Sequence, residues 1–167
     1  WANYNFKDTV LDEKILPYKI FVKDGIKIGV FGIGIELEGL VDKRNFGKVK
    51  YQNPIEEAQK TATLLKQNKK CDYVICLSHL GYKYPDKKVS DMDLSEGTSN
   101  IDLIIGGHTH TFLEEPKLKS NSLNKPVYVT HVGWAGIWLG KIEVFFSADT
   151  SKQISVASVI KIGGDLG

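Results

Sequence analysis

A length of 167 residues suffices for one domain with a sizeable core, and 42% hydrophobic with 25% charged residues is an ordinary globular balance. The net charge is +2 and Arg44 is the only arginine among 22 basic residues, so neither a nucleic-acid footprint nor a set of bidentate phosphate clamps is expected. No apolar run is long enough for a membrane-spanning helix, and a chain opening on Trp1 without a signal-peptide pattern is expected to be a trimmed or processed product.

Asn3 to Pro17 is polar and mixed, a loop with a short extended piece. Tyr18 to Val22 and Ile26 to Phe31 read as strands, joined through the hairpin signal Asp24-Gly25. Gly32-Ile33-Gly34 lacks the third glycine of a dinucleotide fingerprint and reads as strand packing. Asn53 caps a helix with Pro54 in its first position; Ile55, Ala58, Ala62 and Leu65 recur on one face, and the helix ends in Lys66 to Lys70. Tyr73 to Leu77 is a buried strand ending at Ser78-His79. Asp91 to Glu96 is a short helix, and Ile101 to Ile105 a second buried strand. Val127 to Thr130 is a third, ending at His131. Ile142 to Phe146, after Gly140, and Ile154 to Lys161 close the chain as strands, with a turn at Thr150-Ser151-Lys152. Strands apolar over four or five residues predict a sheet covered on both faces. The hairpin and the closing strands make it mixed rather than wholly parallel, in a single α/β domain. Cys71 and Cys76 would stand roughly 16 Å apart along one strand at about 3.3 Å per residue, too far for a disulfide.

The histidines carry the chemistry. His79, His108 and His131 each follow an apolar strand, where ligands bind in open α/β sheets. His79 and His108 follow neighbouring strands and can converge on one crevice. His110, two residues beyond His108, points elsewhere on an extended or turning backbone, so the pair can serve one ion from two sides or two different ions. Gly106-Gly107 lets the backbone turn tightly and approach a site closely. Imidazoles suit zinc, iron or nickel, and manganese with carboxylates. His131 alone reads as a hydrogen-bonded structural residue. His79 alone reads as either. Asp102 reads as a strand-edge or capping residue more than as an orienting one. Trp134, Trp138 and Tyr128 read as core or rim aromatics, with stacking on a base the lesser reading.

Ile101-Asp102-Leu103-Ile104-Ile105-Gly106-Gly107-His108-Thr109-His110 resembles the last signature of calcineurin-like metallophosphoesterases, in the branch of bacterial 5′-nucleotidases. Ala2-Asn3-Tyr4, Pro17 to Val30, Leu77-Ser78-His79-Leu80-Gly81 and Gly133-Trp134-Ala135-Gly136 with Leu139 to Ile142 resemble other segments of that family in the same order. The resemblance implies a four-layer α/β/β/α sandwich and two divalent ions, zinc, manganese, iron or similar. His79 and His108 would bind one ion and His110 the other. It implies hydrolysis of phosphate monoesters, nucleoside 5′-monophosphates first among them, and export to the periplasm or cell surface.

The family's Asp-x-His pair, bridging aspartate and Asn-His pair have no counterpart here. The residues before the four histidines are Ser78, Gly107, Thr109 and Thr130. No catalytic residue is therefore identifiable. Residues 1–167 are expected to be the C-terminal portion of a catalytic domain, without the N-terminal metal motifs and the C-terminal nucleotide-binding domain. Such a chain holds half of a two-metal site and is expected to be nearly inactive alone. Its uncovered sheet predicts self-association or a companion N-terminal fragment. Two other readings stand beside this one: a superfamily esterase for cyclic nucleotides or sugar phosphates, and a silent binding or assembly module.

Overall fold

Asp24 and Gly25 set the first hairpin. In the computed structural model, which describes residues 1–146 and 153–162, both have left-handed backbones, with φ of 50° and 82°, as a type I′ turn requires. After the two-residue strand β1 (Tyr4–Asn5), this turn joins β2 (Tyr18–Lys23) to β3 (Ile26–Ile33). A short helix α1 (Lys43–Phe46) and a strand β4 (Lys50–Tyr51) follow, and β4 pairs with β1. Asn53 then caps α2 (Pro54–Thr63), its Oδ1 accepting from the amides of Ile55 and Glu56. The helix widens into a π turn over Leu64–Asn68. Next come β5 (Tyr73–Ser78), α3 (Asp91–Gly97), β6 (Leu103–Ile105), β7 (Lys117–Ser120), β8 (Pro126–Thr130), β9 (Trp138–Phe146) and β10 (Gln153–Lys161).

Six strands form one mixed sheet in the order β2-β3-β5-β6-β8-β7. The three inner pairings, β3 with β5, β5 with β6 and β6 with β8, are parallel, and the two outer ones are antiparallel. Four strands therefore run the same way. Their carboxyl ends, at Ile33, Ser78, Ile105 and Thr130, line a single edge. β9 and β10 form a separate antiparallel hairpin.

Alternation along the strands divides the sheet into two faces. Phe31, Ile33, Val74, Cys76, Ile104, Val127 and Val129 are buried in one core with Ala58, Ala62 and Leu65 of the α2 region and Leu94 of α3. On the opposite face Tyr73 is buried and meets Phe146 of β9 edge to face at 6.0 Å. Further along the same face, Leu77 and Ile105 are 46% and 36% exposed. Buried Asn3 ties the chain start to the end of β3. Its Nδ2 donates to the Gly34 carbonyl at 2.8 Å, and its Oδ1 accepts from the Gly34 amide at 2.9 Å.

The helix, the inner strands and the mixed sheet match the sequence reading. Several elements differ from it, among them α1 and β4, which the sequence reading did not include. Gly140 does not precede the closing strand but lies within β9, its α-carbon packed against Val132. β6 begins at Leu103, because Asp102 sits at the strand edge, where its Oδ2 accepts from the Val74 amide and from Lys66 Nζ. β7 was not expected at all. Its sequence Lys117-Leu118-Lys119-Ser120 has no apolar run, as befits a lysine-bearing edge strand. The expected turn at Thr150-Ser151-Lys152 lies outside the described residues. Cys71 and Cys76 are free and buried. Among the described residues no helix is long and apolar enough to cross a membrane.

The two faces predict different costs of truncation. Ile104→Ala should lower the unfolding free energy in urea by about 2–5 kcal/mol, the usual cost of emptying a full core position. Leu77→Ala should cost no more than about 1 kcal/mol.

Candidate metal centre

The parallel strands deliver their loops to one edge. His79 follows β5, with its amide donating to the Ile33 carbonyl of β3 at 2.8 Å. Gly106 follows β6, with its amide donating to the Thr130 carbonyl of β8 at 2.9 Å. These bonds continue the sheet's pairing one residue past the strands and fix where each loop begins. His79 and His108 then meet with ring centroids 5.1 Å apart, edge to face.

The turn between them is shaped by what its glycines lack. A Cβ at Gly106 would overlap His131 Nε2 and Asp91 Oδ2, and one at Gly107 would lie 3.2 Å from His79 Nδ1. His108 and His110 both have positive φ, 78° and 54°. Histidine adopts that conformation at a cost, so tertiary contacts must hold it. Thr109 supplies them. Its Oγ1 accepts from the Tyr82 amide at 2.9 Å and lies 2.9 Å from Thr111 Oγ1, while its amide donates to the Gly107 carbonyl. Residue 109 is thereby pinned to the His79 loop, and its two histidine neighbours meet different rings. His108 faces His79. His110 instead stacks on Trp134, with ring centroids 5.3 Å apart and planes 12° from parallel.

Beneath the turn lies a buried pair. His131 Nε2 and Asp91 Oδ2 are hydrogen-bonded at 2.7 Å, with side chains 1% and 0% exposed. Tyr82 packs edge to face on the His131 ring at 5.5 Å. Asp91 opens α3, and its amide donates to the Gly81 carbonyl at 2.7 Å. One residue thus touches the His79 loop, the glycine turn and the end of β8.

His108 titrates below its ordinary value near 6.5. Burial is the main cause, followed by the charges of His79, His110 and Lys88. The shift keeps the imidazole neutral, the form that offers a nitrogen lone pair to an ion. Asp102 lies at the far end of β5 and β6 from these rings. Burial pushes its carboxyl up, against the pull of Lys66. It belongs to the strand edge and not to the site.

Of the three predicted ligands, His79 and His108 come together, whereas His110 faces Trp134. Among the described residues no group of three or more His, Cys, Asp or Glu side chains is placed to hold a metal ion. Sequence reasoning took His131 as structural, which its buried hydrogen bond matches. It missed Asp91 as that partner, and it missed Trp134 as the neighbour of His110. Ser90-x-x-Asp93 marks the capped start of α3, but nothing local shows that Asp91 meets a residue 40 positions on. Arg44 forms an exposed ion pair with Asp42.

The calcineurin-like phosphoesterase family matches residues 2–112. The chain is 32% identical over 133 residues to the trifunctional nucleotide phosphoesterase protein YfkN of Bacillus subtilis, covering 79% of this chain and 8% of that protein. It is 32% identical over 133 residues to the 5′-nucleotidase of Vibrio cholerae, covering 71% of this chain and 24% of that protein. In structure it resembles the 5′-nucleotidase precursor of Thermus thermophilus, with a TM-score of 0.78, 25% identity, and coverage of 96% of this chain and 33% of that one. The chain therefore spans between 8% and 33% of the length of these relatives.

Two outcomes test this geometry. His131→Ala would leave the Asp91 carboxyl buried without its partner, since Asp91 Oδ1 already has none; it should destabilise the fold by about 3–5 kcal/mol in urea unfolding. Imidazole NMR of the metal-free protein should place the His108 midpoint below 6.5. A histidine lowered by folding binds fewer protons in the folded state than in the unfolded one. Its contribution to stability is therefore fully present above pH 6.5 and is lost as pH falls through the folded midpoint.

Proposed function

The chain belongs to the calcineurin-like phosphoesterases, and from that membership we propose that it supplies the histidine half of a metal-dependent phosphate-ester hydrolase acting on nucleoside 5′-monophosphates. The observation that carries the proposal is the pair of imidazoles, His79 and His108, brought together at one sheet edge on a glycine turn. Nucleotide substrates are supported by the names of the relatives, a nucleotide phosphoesterase and two 5′-nucleotidases.

The donor set fits part of an ion's shell. Imidazoles suit zinc, manganese or iron, and burial of His108 favours its neutral form. His79 and His108 would hold one divalent ion, and His110, which stacks on Trp134 instead, would serve a second. Oxygen donors beyond these three histidines are needed to complete both shells. Bound divalent ions would supply charge neutralisation at the phosphoryl oxygens. The protein's own contribution is placement. Thr109 orients the two histidines beside it, and Gly107 leaves room for His79.

A cleft of about 910 Å³ opens beside His108, lined by Tyr51, Leu80, Tyr84, Lys87 and Lys88 among others. That volume suits a nucleotide-sized molecule. The exposed Leu77 and Ile105, next to the strand ends, support a further layer of polypeptide on that face.

In the full-length protein, His108→Ala should reduce the affinity for zinc or manganese by about tenfold or more. Hydrolysis of AMP should fall with it. The 167-residue chain alone should turn over AMP far more slowly than the full-length protein. Metal content unchanged in His108→Ala would contradict the assignment. An unmutated protein that binds no divalent ion would point instead to a silent binding module.

A further inference from the structure

The loop that follows β8 is built to carry one aromatic ring to His110. Gly133 starts it with φ of 75°, and its α-carbon packs directly against the Phe112 ring. The Gly133 amide donates to the Thr111 carbonyl at 2.8 Å, and Phe112 and Val132 form an isolated antiparallel bridge. The loop is thereby stitched to the segment immediately after His110. The next four residues make a tight turn, with Ala135 and Gly136 at φ of 58° and 71° and the Ile137 amide donating to the Trp134 carbonyl. Phe112 also packs edge to face on Trp138 at 4.7 Å, which braces the far side of the turn.

The result is that Trp134 lies flat on His110, although its side is otherwise open and the residue is 55% exposed. A core contact would bury the indole. Three left-handed residues and a backbone tie hold it at the surface instead, over one imidazole. Stacking fixes the plane of that imidazole while leaving the nitrogens on its edge uncovered. An indole face also favours a ring that becomes more positive, as an imidazole does when it ligates a cation.

We propose that Trp134 is a positioning residue for His110, presetting its ring plane so that its edge nitrogen meets a divalent ion separate from the one served by His79 and His108. The inference rests on the reading of these histidines as metal ligands and adds to it the residue that orients one of them. His108 meets His79, whereas His110 meets Trp134.

The test is calorimetric titration of the metal-stripped full-length protein with zinc, comparing Trp134→Ala, Trp134→Phe and His110→Ala. Trp134→Ala should weaken one of two zinc-binding events by about tenfold, the usual cost of losing a residue that orients a ligand, and leave the other within about twofold. Trp134→Phe, which keeps a flat ring, should recover most of the loss. In the NMR spectrum the His110 ring should become mobile in Trp134→Ala and stay ordered in Trp134→Phe. Equal weakening of both events would assign Trp134 a merely structural role and overturn the proposal. So would an unchanged second event in Trp134→Ala when His110→Ala abolishes it. If His110→Ala itself leaves both events intact, the assignment of His110 as a ligand fails, and not only the role of Trp134.

Discussion

The hydrogen bond between Asp91 and His131 lies where three loops meet, and it fits there only because residue 106 has no side chain. Both partners are almost wholly buried, and one Asp91 oxygen has no other partner, so the pair cannot be loosened cheaply. Asp91 reaches the His79 loop through its amide bond to Gly81. His131 ends β8, and the Gly106 α-carbon rests against both. The separation of His79 and His108 is therefore set from below, by a contact that neither histidine makes. Any residue larger than glycine at position 106 would push the turn away from this support and carry His108 with it.

Strand direction supplies the other half of the arrangement. Because β3, β5, β6 and β8 run in parallel, their carboxyl ends converge, and histidines 29 and 52 positions apart in sequence become neighbours along one edge. The loop after β6 then separates its two histidines around Thr109. One imidazole joins His79, and the other is taken by Trp134. A single five-residue turn thus presents its two imidazoles to two different neighbours.

Much of this was legible in the sequence, for physical reasons that can be named. Two histidines beside paired glycines at the end of an apolar strand serve no packing purpose that leucine or serine would not serve better, so the turn stood out. Asn53-Pro54 announced α2, and Asp24-Gly25 the hairpin, because capping and left-handed turns are local chemistry. What stayed hidden depends on distant meetings. Asp91 looked like the first residue of a helix, His131 like a lone buried histidine, and Trp134 like a rim aromatic. Their partners lie 40, 40 and 24 positions away, brought close by the sheet and by the stitch between Gly133 and Thr111. β7 was illegible for a different reason: an edge strand bearing two lysines carries no hydrophobic signal.

The proposed metal role requires that His79 and His108 share one divalent ion while His131 remains a structural partner of Asp91. Anomalous diffraction from crystals of the full-length protein grown with zinc tests it most directly. A zinc peak is expected at about 2.0–2.1 Å from a ring nitrogen of both His79 and His108, with His131 still hydrogen-bonded to Asp91. A zinc peak on His131, or none within reach of His79 and His108, would contradict it.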